Sequence, residues 1–278
     1  MNFVAVPASN YSLAELVDLL NRGFEEYLIP IYFNADMFSN MLRKDGINLT
    51  DSRVLRVDDQ ACGIGLIASR QAVYTSRVAA MGIAKEARGK GAGSWFMKRL
   101  IDDACERGDR EMVLEVIEQN GPAVKLYRNH GFESMRRLVG FTRKDREVAR
   151  NESSDLRELD LHEMDRLISQ YGLPDLPWQL SGESLTQMNP PPLAYCNGQA
   201  YIVISNPEAE HVVIWSLLVE PEARRSGLGT DMLKRVMAQY AGKTWHVPAI
   251  FPEELGKVFE SAGFEKEDLS QWQMKRRL

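Results

Sequence analysis

The sequence predicts an α/β chain made of two tandem domains, on three observations. Apolar strand runs alternate with stretches whose apolar residues recur at helical spacing. One such transition, Met81–Gly93 (MGIAKEARGKGAG), passes from a strand through a basic, glycine-rich turn into a helix start. The R-x-x-G-x-G spacing of that turn (Arg88, Gly91, Gly93) returns 136 residues later as Arg224, Gly227 and Gly229.

In the first copy, Phe3–Val6 reads as a short strand. Ser12 before LAELVDLL, with Glu15 three residues on, is a capping-box start to a helix whose inner face is Leu13, Leu16, Val17 and Leu20. Phe24–Phe33 (FEEYLIPIYF) is aromatic, carries Glu25, Glu26, Tyr27 and Tyr32, and on its residues alone reads as a buried helix edge. Ser52–Val57 and Gly63–Ala68 flank Asp58-Asp59-Gln60 as a hairpin. Arg77–Ile83 is the strand that delivers the chain into the glycine-rich turn. A helix over Ser94–Arg107 follows, with Phe96/Met97, Leu100/Ile101 and Ala104/Cys105 on one face and Gly108 as its C-cap. Glu111–Ile117 is a strand, and Asn120-Gly121-Pro122 opens a helix over Ala123–Asn129. Gly131 stops that helix, and Phe132 begins a closing strand pair reaching about Thr142.

Lys144–Asp155 (KDREVARNESSD) is polar, which places a linker at 146–154 between domains 1–145 and 155–278. The second copy opens with a strand at Leu156–Leu159 and a helix at His162–Tyr171. Gly172–Pro192 is rich in Pro, Gly and Ser and holds Trp178; it is either a loop over a second pocket or a packing bridge. Asn197-Gly198 turns a hairpin between Leu193–Cys196 and Gln199–Ser205, and His211–Val219 leads into the second glycine-rich turn.

A strand, a tight turn and a helix N-terminus together form an anion site, because unpaired N–H groups point outward and the helix dipole favours negative charge. Glycines at 89, 91 and 93 admit a phosphate with no Cβ in the way. Two phosphate motifs fail on spacing. A Walker loop needs Ser or Thr after Gly-Lys, where Gly91 stands; a dinucleotide fingerprint needs glycine where Ser94 stands. R-x-x-G-x-G fits, and it resembles the acyl-coenzyme A pyrophosphate loop of the GCN5-related N-acetyltransferase (GNAT) family. The helix behind the second loop repeats in register, Met232/Leu233, Val236/Met237 and Tyr240/Ala241. Downstream, YRNHGF faces FESAGF, with Gly131 and Gly263 offset by 132. The chain resembles a tandem member of this family over nearly its whole length. The resemblance implies an α/β fold with a mixed α+β sheet in each of two GNAT-like domains, acetyl-coenzyme A as donor, and a primary amine as acceptor, on a small molecule or a peptide N-terminus.

The resemblance also assigns residues. The donor would be anchored by Met81, Gly82, Ile83, Gly89, Gly91, Ala92, Gly93 and Ser94, helped by Arg88 and Lys90, with Asn120 and Ala123 near its pantetheine arm. Tyr127, four residues before Gly131, matches the tyrosine that protonates the coenzyme A sulfur. Glu115, twelve before Tyr127 in LEVIEQNGPAVKLY, matches the glutamate that takes the amine proton in ribosomal-protein alanine acetyltransferases, with Glu118 as the alternative. Glu115 read by itself is equally a strand residue paired with a neighbouring arginine, and Asn120 equally a helix N-cap. In this family the segment holding Glu25, Glu26 and Tyr27 forms one wall of the acceptor pocket, and its acidic residues would suit a cationic substrate. A second coenzyme A site would use Val219, Arg224, Arg225, Ser226, Gly227, Leu228 and Gly229.

Counting back from Gly263, the counterparts of Tyr127, Asn120 and Glu115 are Phe259, Pro252 and Val247. The first domain is therefore expected to be catalytic and the second degenerate. A gap between Val247 and Phe259 would instead bring His246 or Glu253 into the second site.

Composition narrows the class. Hydrophobic and charged fractions of 44% and 26% are those of a globular protein, and a net charge of −5 argues against a nucleic-acid groove. Cys62, Cys105 and Cys196 are odd in number and far apart, which suggests reduced thiols in a cytoplasmic protein. The four histidines form no ligand spacing, so no metal is expected. The N-terminus lacks a signal-peptide pattern, and no stretch approaches a membrane span. Oligomeric state is left open.

Overall fold

The computed structural model describes residues 1–144 and 156–278. The linker expected at 146–154 lies outside the described residues. The chain divides into two compact units, Met1–Met135 with Trp272–Leu278, and Arg136–Gln271.

The first unit runs β1 (Phe3–Pro7), α1 (Leu13–Gly23), α2 (Ala35–Asp45), β2 (Arg53–Val57), β3 (Gln60–Arg70), β4 (Thr75–Ile83), α3 (Ala92–Arg107), β5 (Glu111–Ile117) and α4 (Gly121–Asn129), and ends in the first residues of β6 (Glu133–Lys144). The predicted capping box is present in full: Ser12 accepts from the Glu15 N–H while Glu15 accepts from the Ser12 N–H. Helix α2 has no forecast in the sequence; Asn34 caps its start and Gly46, at φ +65°, its end. Asp58 and Asp59 both adopt positive φ, so the hairpin turns on two residues. Helix α3 begins two residues before the expected Ser94, directly on Gly91. The strand pair expected from Phe132 to Thr142 is one unbroken strand, β6.

The second unit repeats the plan with β7 (Arg157–Leu159), α5 (Leu161–Tyr171), α6 (Gly182–Thr186), β8 (Leu193–Asn197), β9 (Ala200–Ile204), β10 (His211–Val219), α7 (Leu228–Gln239), β11 (Thr244–Pro252), α8 (Lys257–Ser261) and the start of β12 (Glu265–Arg277). The strand order β1-β2-β3-β4-β5 of the first unit has its counterpart in β7-β8-β9-β10-β11. Neighbours are antiparallel except β4 with β5 and β10 with β11, so each unit carries the mixed sheet the sequence predicts.

The compact units differ from domains 1–145 and 155–278 by an exchange of closing strands, and packing gives the reason. Met274, with the partly buried Trp272 and Leu278, joins the first core, to which α3 contributes Phe96, Met97 and Leu100. Val139 and Phe141 of β6 instead join the second core with Met232, Trp245 and Phe259, and β6 pairs with β11. Leu278 donates its N–H to the Arg110 carbonyl at 3.0 Å. Among the described residues no helix is long and apolar enough to cross a membrane, and the three cysteines are free thiols.

Candidate active site

The site begins with an irregularity in β4. Leu66 and Ile67 of β3 pair with Ala80 and Val78, so Ala79 bulges. Parallel pairing of β4 with β5 joins Thr75–Val78 to Glu111–Leu114 and stops at that bulge. Met81, Gly82 and Ile83 remain paired with β3 on one edge, and their other edge faces a wedge between two parallel strands. Backbone donors and acceptors on such an edge require partners, and an extended ligand supplies them as an added strand does. The feature is doubled: Trp215, 136 residues after Ala79, bulges from β10, and β10–β11 pairing stops at Val213 and His246.

At the end of the wedge lies the glycine-rich turn. Gly91, at φ +82°, caps α3 without any side-chain hydrogen bond, so the first-turn N–H groups are not claimed by a cap. Arg88 does not reach outward as a phosphate ligand would. Its Nε donates to the Ile83 carbonyl at 2.8 Å, and its Nη2 to the Gly23 and Glu25 carbonyls at 3.0 and 3.1 Å. Lys90 likewise donates to the Glu86 carbonyl at 2.8 Å. Both side chains brace the turn, and an anion there would meet backbone N–H groups and the helix dipole. Arg224 repeats the brace, donating Nε to the Val219 carbonyl at 3.0 Å and Nη2 to the Tyr171 carbonyl. Close packing shapes the floor: a Cβ on Gly23 would lie 2.7 Å from the Gly82 Cα, so the end of α1 rests directly on β4. Ser94 meets His130 through an Oγ–Nε2 contact of 2.9 Å.

Three polar side chains converge from two segments, Tyr27 after α1, and Asn120 and Tyr127 from α4 and its N-cap. Asn120 caps α4, its Oδ1 accepting from the Ala123 N–H at 3.2 Å. Tyr27 is half-buried; burial raises its pKa, and a hydrogen bond with the Asn120 side chain partly offsets this. Tyr127 is buried beside Phe132, ring centroids 5.9 Å apart. Burial first, and then the neighbouring Tyr27, pushes its pKa well above the ordinary tyrosine value. A phenol so placed keeps its proton at neutral pH and has it to give.

Glu115 stands differently from the expected base. Its carboxylate is 3% exposed and accepts from Arg77 Nε at 2.7 Å, and Arg77 also donates to Asp45 at 3.2 Å. Desolvation opposes the charge on Arg77, yet the two carboxylates hold its pKa above the usual arginine value. Glu115 Oε1 is buried with no hydrogen-bond partner. Of the acceptor-side acids, Glu26 is paired with Lys85 at 2.6 Å, and Glu25 is exposed with its carbonyl taken by Arg88. The sequence reading missed Asp45 and Arg77. An arginine in the largely apolar strand β4 was the available signal, but nothing local joined it to Asp45 at the end of the polar helix α2.

The sequence profile of the acetyltransferase (GNAT) family matches residues 13–132 and 186–251, more than half of the chain. The chain belongs to the GNAT family. Solved structures agree at the level of fold. A GCN5-related N-acetyltransferase from Sphaerobacter thermophilus superposes with a TM-score of 0.70 at 15% identity, over 99% of this chain and 95% of that one. A tandem GNAT protein from the clavulanic acid biosynthesis pathway gives 0.62 at 15% identity, over 99% and 98%. A GCN5-related N-acetyltransferase from Anabaena variabilis gives 0.65 at 16%, over 98% and 72%. No curated protein sequence matches the chain.

Within this tandem GNAT chain the second unit keeps the frame and changes the chemistry. Strand pairing sets Thr75 against Glu111 and His211 against Thr244. The counterpart of Glu115 is therefore Pro248, and Val247 matches the buried Leu114: the offset between the copies falls from 136 at the loops to 133 at the strand and 132 at Gly263, so one residue is lost after the strand. His246 neither lies at that position nor stands free, since its Nδ1 meets Glu267 at 3.0 Å. Glu253 is held by Arg137 and Lys266. Phe259, in place of Tyr127, is fully buried among Phe141, Phe251 and Phe264. Arg225 takes the left-handed conformation, at φ +64°, that Gly89 takes in the first loop. The second wedge opens into a cavity of about 790 Å³. Leu173, Leu176 and Leu180 line it, so the Gly172–Pro192 stretch serves as a wall of that cavity.

Proposed function

We propose that the first copy transfers an acetyl group from acetyl-coenzyme A to a primary amine, by direct attack within a ternary complex. The acceptor is a small-molecule amine or a peptide N-terminus. The observation that carries this reading is the convergence of Tyr27, Asn120 and the protonated Tyr127 beside the wedge, where the second copy has Pro252 and Phe259.

In this reading the free β4 edge at Met81–Ile83 receives the donor's extended arm, and the Gly89–Ser94 backbone receives its pyrophosphate. The uncharged amine attacks the thioester carbonyl carbon; the C–N bond forms, the nitrogen gives its surplus proton to water, and the C–S bond breaks. Tyr127 gives its proton to the leaving sulfur and is reprotonated from solvent. Glu115, on β5 and already bound by Arg77, acts as a positioning residue, and the ammonium loses its proton to water before attack. Tyr27 faces the acceptor. Three unpaired thiols favour a reducing, cytoplasmic setting.

The test is steady-state kinetics on a panel of amines. Tyr127→Phe should lower kcat by about a hundredfold or more while leaving the donor KM within about threefold. An unchanged kcat would remove Tyr127 from the mechanism.

A further inference from the structure

The arginine brace on each glycine-rich loop also aligns the segments that follow α1 and α5. Arg88 donates Nη2 to the Gly23 carbonyl and Arg224 donates Nη2 to the Tyr171 carbonyl, so the two helices end at equivalent points. Five and nine residues beyond those carbonyls lie Leu28 and Tyr32 in the first unit, and Leu176 and Leu180 in the second. Leu176 and Leu180 line the second cavity. By this equivalence Leu28 and Tyr32 border the space beside the first wedge, in the segment whose Tyr27 bonds Asn120 and lies next to Tyr127. There they have little protein cover: Leu28 is 56% and Tyr32 76% exposed. Water against two large apolar side chains is unfavourable, and a ligand with an apolar group of its own displaces it. Charge on the same wall cancels. Glu26 pairs with Lys85 at 2.6 Å and Glu86 with Arg22 at 2.5 Å. Glu25 lies in the field of Lys85, and Arg88 in that of Glu26 and Glu86. Glu25, Glu26 and Glu86 thus stand against Arg22, Lys85 and Arg88, which leaves little net charge to draw in a polycation.

We propose that the first unit selects a primary monoamine carrying a large apolar group, and that Leu28 and Tyr32 are the residues that select it. The amine end lies toward Tyr127, and the apolar end lies on Leu28 and Tyr32. A second ammonium at that far end would lose water against a leucine and a tyrosine ring, with no unpaired carboxylate of this wall to receive it. The size of the patch favours a small molecule. Leu28 and Tyr32 together expose roughly 300 Å², against the ~800 Å² per partner that a stable protein interface buries. The proposal rests on the transfer reading of the first copy, and adds the class of amine which that copy takes.

Initial-rate kinetics of the full chain with acetyl-coenzyme A tests it, with ethylamine, hexylamine and 1,6-diaminohexane as acceptors. A fully buried methylene is worth about fourfold, so four half-covered ones should raise kcat/KM for hexylamine about 15-fold above ethylamine. The diamine has the same chain with a second ammonium, and should fall about tenfold or more below hexylamine. Leu28→Ser and Tyr32→Ser should each lower the hexylamine-to-ethylamine ratio about threefold or more, chiefly through KM, with circular dichroism reporting the fold. A ratio near one, a preference for the diamine, or a ratio unchanged in both variants would overturn the proposal. Dimerisation of the chain that either variant abolishes would overturn it too, by giving the patch to a second copy. Silence with all three amines counts against the transfer reading, and the proposal falls with it. Transfer without selection counts against the proposal alone.

Discussion

The two glycine-rich loops of this chain are nearly superimposable in logic and opposite in what surrounds them. Each follows a bulged strand whose parallel partner falls away at the bulge. Each is braced by an arginine turned back onto backbone carbonyls, and each ends on a left-handed glycine that caps a helix. Around the first loop stand Tyr27, Asn120 and Tyr127; around the second stand Trp215, Pro252 and Phe259. The backbone frame of the two loops and the side chains around it are thus separable. The first is specified by backbone geometry and short spacings, the second by single side chains.

That contrast can be broken at its buried polar groups. Beneath the first wedge, Glu115→Ala removes one carboxylate from Arg77, whose side chain is 4% exposed. Unfolding in denaturant should show a loss of about 3 kcal/mol, because a buried guanidinium is left with Asp45 alone. A loss under about 1 kcal/mol would argue against a positioning role. In the second unit, Phe259→Tyr places a hydroxyl in a wholly aromatic cluster. It should cost roughly 1–3 kcal/mol and add no acetylation, since an unsatisfied phenol there has neither a partner nor a neighbouring Asn. A gain of transfer would mean that the two sites differ by one oxygen.

Smaller effects sharpen the same comparison. Arg225 holds the left-handed conformation that Gly89 holds without strain. Arg225→Gly should raise stability by about 1 kcal/mol and Gly89→Arg lower it by a similar amount, read from denaturation midpoints. A reversed sign at either position would show that the loops are not conformationally equivalent. His130 belongs only to the first loop. Burial, then Arg276 and Lys98, holds its pKa below the ordinary histidine value. The folded state therefore binds fewer protons than the unfolded one. The contribution is present above about pH 6.5 and is lost as pH falls through the lower folded value. His130→Gln should flatten the fall in stability on that acidic side, and an unaltered slope would contradict the assignment.

What the sequence disclosed and what it hid follow one physical division. The Ser12–Glu15 box, the Asp58-Asp59 turn, the Gly108 cap and both glycine-rich loops are local, each set by a few residues whose backbone preferences are known. Asp45, Arg77 and Glu115 lie 32 and 38 residues apart in pairing, so only the folded sheet brings them together. The exchange of β6 and β12 was equally hidden, because both are closing strands with similar patterns and only their packing partners distinguish them. Helix α2 went unplaced because its polar interior, ADMFSNMLRKD, gives little apolar periodicity, with Phe38 its one buried hydrophobic anchor. Spacing from Gly263 pairs Glu115 with Val247, but one residue fewer separates strand and glycine in the second copy, and strand pairing sets Glu115 against Pro248.

The most direct measurement is the initial rate of amine acetylation by the full chain, compared between Gly91→Glu and Gly227→Glu. A glutamate at either glycine puts a negative charge where a pyrophosphate would sit. The account predicts that Gly91→Glu loses at least ~100-fold in rate while Gly227→Glu stays within about threefold of the wild type. A rate abolished by Gly227→Glu and spared by Gly91→Glu would contradict it, and would move the chemistry to the unit that has Phe259 where the first has Tyr127.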